Sequence, residues 1–146
     1  MSSKLERFVH KRRVTWGETD VAGSVDLSTV TRYCMEALEE WFLDRLGSDW
    51  HQLHVEQKVG TPFVRAELEF HSPVRPRDAL MISVKVEKVG RSSVVFHVIG
   101  TAGQGERRCW EGHFTCVFLD PQTMQSIPVP QAYRSAIEQD AALAGS

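Results

Sequence analysis

The 146-residue chain has only three cysteines, Cys34, Cys109 and Cys116, and no CxxC pair. That odd number, without paired spacing, excludes a disulfide framework or a cysteine-rich zinc knuckle and suits buried thiols in a reducing compartment. No apolar run is long enough to span a bilayer, and the opening "MSSKLERFVHKRR" carries charge without the apolar segment of a secretion signal. A cytoplasmic protein without membrane contact is therefore expected. Charge of one sign is not in large excess either. A formal net charge of −2 argues against a nucleic-acid partner held by bulk electrostatics, so any anionic ligand has to be gripped locally. Internal repeats and low-complexity blocks are lacking. So is a dinucleotide loop, because no helical pattern follows the "GQG" at Gly103–Gly105. What remains, 42% hydrophobic and 25% charged, is ordinary globular composition for one domain, 1–146, with an ordered core over about 8–139.

Periodicity divides the chain. "FVHKRRVTW", 8–16, reads as a short strand, with the basic triplet Lys11, Arg12 and Arg13 on a solvated strand edge. After Asp26 the period changes. Val30, Tyr33, Cys34, Ala37, Leu38, Trp41 and Phe42 recur at three and four and define one apolar helical face, with Ser28 or Thr29 as its cap and Gly47 as its stop. Beyond an irregular connection to Pro62 the period becomes two. "FVRAELEF", "LMISVKVEKV", "SSVVFHVIGTA" and "RCWEGHFTCVFL" are β-branched and aromatic strands, the last three joined as a meander through "VGRSS" and "AGQGERR". A short helix starts near Gln131. The fold class is α+β: a five-stranded antiparallel sheet whose apolar face curls around one long helix.

The motifs "WGETDVAGSV", "VGTPFV", "KVGRSSVVF" and "FLDPQTMQSIPVP" stand in the order and spacing of a known family. Over about residues 10–137 the chain resembles the 4-hydroxybenzoyl-CoA thioesterase family of hot-dog acyl-CoA hydrolases. The resemblance implies a hot-dog fold and hydrolysis of an acyl- or aryl-CoA thioester to the free acid and CoA. It also implies assembly as a homodimer or homotetramer with sites between subunits. No metal or redox cofactor is called for, and coenzyme A enters only as part of the substrate.

Such a reaction needs a nucleophile or base and donors for the oxygen that becomes negative. A thiol leaving group departs as thiolate without a strong acid. Asp20, ionised at neutral pH as aspartates ordinarily are, can attack the carbonyl or deprotonate a water. The helix beginning about seven residues later offers amides without intrahelical partners at the positive end of its dipole. One such donor contributes about 2.7–4 kcal/mol in acyl transfer. In the family the catalytic aspartate ends the pattern G-x-x-D before A-G and maps onto Asp20, while the oxyanion amide maps onto Leu27 or Ser28. Gly23, without a Cβ, lets substrate or backbone approach. Lys88, Arg91, Ser92 and Ser93 lie on a hairpin that the family uses near the nucleotide, where coenzyme A phosphates need cations and amides. Arg75, Arg77, Arg107 and Arg108 are further cations. Gly60 and Thr61 map close to the family's pocket.

The chain departs from the family at the helix start. Asp26, Leu27, Ser28, Thr29 and Val30 replace aromatic residues, a proline or alanine, an asparagine and a tyrosine. Asp26 reads as an acid at a helix N-terminus. Two alternatives stay open: a non-catalytic acyl-CoA-binding module, or a hydratase or dehydratase centred on His113 in "EGHF". Glu36, Glu39 and Glu40 offer a helix-borne carboxylate, though with Arg32 and Asp44 they form a polar strip. "HQLH" with Glu56 has one-turn spacing for a metal pair but no compelling third ligand. Trp16, Trp50, Phe63 and Phe70 are available to shape an aromatic acyl pocket.

Overall fold

The computed structural model describes residues 5–143. Its strands are β1 (Phe8–Arg13), β2 (Phe63–Phe70), β3 (Ala79–Val89), β4 (Ser93–Ala102) and β5 (Arg107–Val117). They form one antiparallel sheet in the order β1-β3-β4-β5-β2. The period-two pattern places Leu80, Ile82, Val84 and Val86, then Phe96 and Val98, then Trp110, Phe114 and Cys116 on one buried face. Helix α1 (Leu27–Leu46) lies against that face with all seven residues of its expected apolar stripe buried. Trp41 meets Phe96 edge-on at 4.9 Å and Phe42 meets Trp50 at 5.7 Å, so aromatic contacts dominate the centre of the core. This is the hot-dog arrangement expected from the sequence. No helix among the described residues is long and apolar enough to cross a membrane.

Three local expectations are corrected. Strand β1 stops at Arg13, because Val14 turns its amide to the Asp78 carbonyl and Trp16–Glu18 closes a 3-10 turn. The cap of α1 is Asp26, not Ser28 or Thr29: its Oδ1 accepts from the Thr29 amide at 3.0 Å and from the Ser28 hydroxyl, which places the carboxylate three residues ahead of the donor it satisfies. Gly47 ends the helix in the left-handed conformation, as expected. Nor is the basic triplet simply solvated. Arg12 bonds Glu18 and Glu36, both at 2.8 Å, and its guanidinium lies 4.2 Å above the Tyr33 ring.

A second helix, α2 (Gln131–Ala141), adds Tyr133 and Ile137 to the core and brings the fully buried Asp140 against α1 and β3. The tightest backbone approach is at Gly100 in β4, where the Trp110 ring occupies the space a Cβ would need.

Candidate active site

Between β1 and α1 the chain makes a loop held largely by its own hydrogen bonds. Asp20 Oδ1 accepts from the amides of Ala22 at 2.9 Å and Ser24 at 3.3 Å, while the Asp20 amide donates to the Ser24 carbonyl and the Gly23 amide to that of Asp20. Gly23 completes the turn at φ +75°, a conformation that side chains rarely adopt. Asp20 thus has the self-bonded form of a turn aspartate and is exposed, and among the described residues its Oδ2 has no partner. Two residues on from Gly23, the Val25 amide ties the loop to the Val74 carbonyl.

The start of α1 follows directly. Thr29 gives its amide to Asp26 Oδ1 and Val30 to the Asp26 carbonyl, which leaves the amides of Leu27 and Ser28 without a hydrogen-bonded acceptor among the described residues. Ser28 donates its hydroxyl to the same Asp26 carboxylate. Hydrogen bonds from the Thr29 amide and the Ser28 hydroxyl hold the Asp26 carboxyl below its usual range, so a negative charge stands beside the amides expected to receive an oxyanion.

The loop is also clamped from the helix side. Glu18 Oε1 accepts from the Thr15 amide and, at 2.9 Å, from the Tyr33 hydroxyl, and Oε2 takes Arg12. Local spacing could not reveal this clamp, since Tyr33 reads only as core and Arg12 only as edge charge. Burial raises the Tyr33 phenol well above its ordinary range, and Glu18 adds to the shift, so the hydroxyl remains a donor.

Two adjoining hollows run along the open side of α1 and share Met35 and Trp50. One, of about 330 Å³, is lined by Val59, Thr61, Pro62 and Phe63 together with His54. The other, of about 610 Å³, is lined by Arg12, Glu18, Arg32, Glu36 and Glu39. Trp50 and Phe63, expected as pocket aromatics, do meet here, with centroids 5.8 Å apart. Trp16 instead stands 77% exposed on the loop, and Phe70 borders a separate hollow with Ser24, Val25 and His71. The indole Nε1 of Trp50 is shielded from solvent yet has no acceptor among the described residues.

Within one chain the expected residues fall into two groups. Asp20, Gly23, Leu27 and Ser28 lie together at the end of the sheet where Arg13 faces Ala79. Lys88, Arg91, Ser92 and Ser93 lie at the opposite end, across the 11-residue length of β3, roughly 33 Å away. Gly60 bridges Leu119 at that far end, and Thr61 lines the cavity beside it. Of the other cations, Arg107 is committed to Asp78 at 2.9 Å. His113 is on the sheet face turned away from α1 and pairs with Glu87, away from the helix-side hollows. The "HQLH" segment forms a single wide turn, Gln52–Glu56, with His54 at the cavity wall. Burial pushes the Cys34 and Cys116 thiols up to about 12 and raises that of Cys109, so none of the three offers a thiolate at neutral pH.

Residues 14–137 match the thioesterase-like superfamily. The chain is 32% identical over 92 residues to the 1,4-dihydroxy-2-naphthoyl-CoA hydrolase of Prochlorococcus marinus (strain NATL2A), covering 58% of this chain and 59% of that one. To the hydrolase of the same name from Synechocystis sp. it is 25% identical over 135 residues, covering 89% and 94%. The match to the first two curated relatives spans little more than half of their length, 59% and 55%. Among solved structures, a thioesterase superfamily protein from Jannaschia sp. CCS1 superposes with a TM-score of 0.88 at 35% identity, over 98% of this chain and 99% of that one. The gentisyl-coenzyme A thioesterase BH1999 superposes with a TM-score of 0.76 at 28% identity, over 87% and 99%.

Proposed function

The chain belongs to the thioesterase-like superfamily, and from that membership we propose that it hydrolyses an acyl-CoA thioester, with an aromatic acyl group preferred. The observation that carries the reading is the pairing of Asp20 with the start of α1: a carboxylate with one oxygen held and one free, in the loop leading to an unpaired helix amide. Asp20 Oδ2 either attacks the thioester carbon, releasing CoA thiolate and forming an anhydride that water opens, or removes a proton from the water that attacks. The carbonyl oxygen draws its donors from Leu27 and Ser28. Both routes end in the free acid and CoA, and neither needs a metal or redox group.

The cavity beside α1 supports the aromatic preference. Trp50, Phe63 and Met35 present aromatic carbon and sulfur to a flat acyl group. The names of the relatives, a dihydroxynaphthoyl-CoA hydrolase and a gentisyl-CoA thioesterase, agree with that chemistry.

The site is completed by a second copy. β2 is an edge strand, with Val64 63% exposed, and pairing it with its own copy about a twofold axis removes the open edge. Antiparallel pairing of β2 with β2 brings the Phe63 end of one copy, with Gly60 and Thr61, beside the Phe70 end of the other, with the Asp20 loop. That resolves the separation of the two residue groups within one chain. A homodimer or a homotetramer built from it both satisfy this requirement.

Thiol release from benzoyl-CoA and hexanoyl-CoA tests the reading. Wild type is expected to turn over the aryl substrate faster, and Asp20→Asn to lose about a hundredfold or more in kcat while keeping its melting temperature. Substrate binding without thiol release would instead assign the chain to the non-catalytic acyl-CoA-binding reading.

A further inference from the structure

On the sheet face turned away from α1, three metal-ligating side chains converge. While Phe96, Val98, Trp110 and Phe114 are buried toward the helix, His97, Glu111 and His113 alternate with them. Register brings them together: His97 stands opposite His113, and Glu111 lies two residues along β5 on the same face. The imidazoles stack with centroids 4.9 Å apart and planes 15° from parallel. Glu111 Oε1 is 2.8 Å from His97 Nε2 and 4.0 Å from His113 Nε2, and one ligand atom from each residue falls within 4.8 Å of the others.

The surrounding groups decide what these atoms can do. Glu87 Oε1 lies 3.1 Å from His113 Nδ1, so a neutral His113 keeps its proton there and turns a bare Nε2 lone pair toward Glu111. A lone pair and a carboxylate oxygen facing one another repel unless a proton or a metal ion lies between them. Arg108 and His71 reach only Oε2 of Glu111, at 3.4 and 3.8 Å, which leaves Oε1 to the two histidines.

We propose that His97, Glu111 and His113 bind a divalent cation of the zinc class. Two imidazoles and a carboxylate are a favoured zinc donor set, and ligands on a tetrahedral ion with bonds of about 2.0–2.1 Å stand roughly 3.4 Å apart, between the two separations observed. To converge on one ion the two stacked imidazoles must tilt toward each other. Glu87 is the outer carboxylate that orients a ligating imidazole. The fourth position is open to water or to Glu67, which stands opposite His113 on β2. Arg7 Nη2 lies 3.3 Å from both His97 Nδ1 and the His97 carbonyl oxygen, so without a cation the His97 proton sits on Nε2 and is donated to Glu111. The cation takes that place, Nδ1 takes up a proton, and Arg7 keeps the carbonyl. Because the hollows of the proposed hydrolase lie across the sheet, this site and the acyl site are separable.

Calorimetric titration of the full, chelator-stripped chain with Zn²⁺ at neutral pH is expected to give one saturable equivalent and a higher melting temperature. His97→Gln and His113→Gln should each weaken it at least tenfold, and Glu87→Gln by a smaller factor, whereas the double variant His51→Gln, His54→Gln should bind as wild type does. Circular dichroism of each variant without zinc separates loss of a ligand from loss of fold. If a variant does not fold, the visible spectrum of the Co²⁺-loaded wild type decides, a four- or five-coordinate band pattern being expected. Failure to saturate at one equivalent, undiminished binding in both histidine variants, or a purely octahedral Co²⁺ spectrum would overturn the proposal and leave only adventitious surface binding.

Discussion

Asp140 on α2 accepts a hydrogen bond of 2.6 Å from the backbone amide of Val86, at a point where β3 has lost its neighbour. β1 begins with Phe8 opposite Val84, so Val86 has no strand on that side among the described residues, and the carboxylate supplies the acceptor. The other oxygen accepts from Trp41 Nε1 at 3.2 Å and lies 3.4 Å from Arg45 Nε. One side chain therefore joins α2, α1 and the sheet. Asp140→Ala leaves a buried amide and a buried indole without acceptors and should cost about 3 kcal/mol, read as a lower urea midpoint at unchanged m.

Gly100→Ala tests the packing of the sheet itself. An added Cβ would come within 2.3 Å of the Trp110 ring, which is fully buried and cannot rotate away. A loss of about 1–3 kcal/mol is expected, seen as a lower melting temperature, and Trp110→Leu in the same chain should recover part of it.

The clamp on the loop before α1 should be visible in acid. Burial works against the Glu18 carboxylate, but hydrogen bonds from Thr15 and Tyr33 and the charge of Arg12 outweigh it and hold its pKa below the ordinary 4.5. A depressed pKa contributes stability above the unfolded value that is lost as pH falls through the folded one. Tyr33→Phe should therefore cost about 1.5 kcal/mol at neutral pH and less at about pH 3.5, giving a shallower acid limb of urea midpoint against pH than wild type.

Asp26 combines capping with a negative charge near the amides proposed to receive the oxyanion. Asparagine caps as well as aspartate, so Asp26→Asn should melt close to wild type and raise kcat, whereas Asp26→Ala should melt lower. Equal kcat in wild type and Asp26→Asn would show that the carboxylate does not act on the reacting oxygen.

Trp50→Leu removes one aromatic wall of the cavity while keeping an apolar side chain there. KM should rise about two- to tenfold for benzoyl-CoA and change less for hexanoyl-CoA, the range expected for one lost aromatic contact.

Much of the architecture was readable from local pattern. The seven-residue stripe of α1, the bounds of β2, the stop at Gly47 and the start of α2 all depend on side chains a few positions apart, whose burial follows from the 3.6 or 2.0 period alone. The acidic loop before the helix was legible for the same reason, since Asp20, Gly23 and the first helix residues are neighbours in the chain. The cap was misread because Ser28, Thr29 and Asp26 are all acceptable capping residues, and only the backbone direction chooses among them.

By itself, then, the amino-acid order determined which segments are strand or helix, which faces are apolar, and where an acid precedes a helix end. Tertiary structure decided everything that needs register or crossing: that β2 lies at an edge, that Lys88 and Arg91 are a strand's length from Asp20, that Asp140 closes the gap beside β3, and that His97 meets Glu111 and His113. These pairs are far apart in sequence, and no local periodicity encodes them. They are selected when the sheet folds over α1 and each strand takes the one register that buries its apolar face.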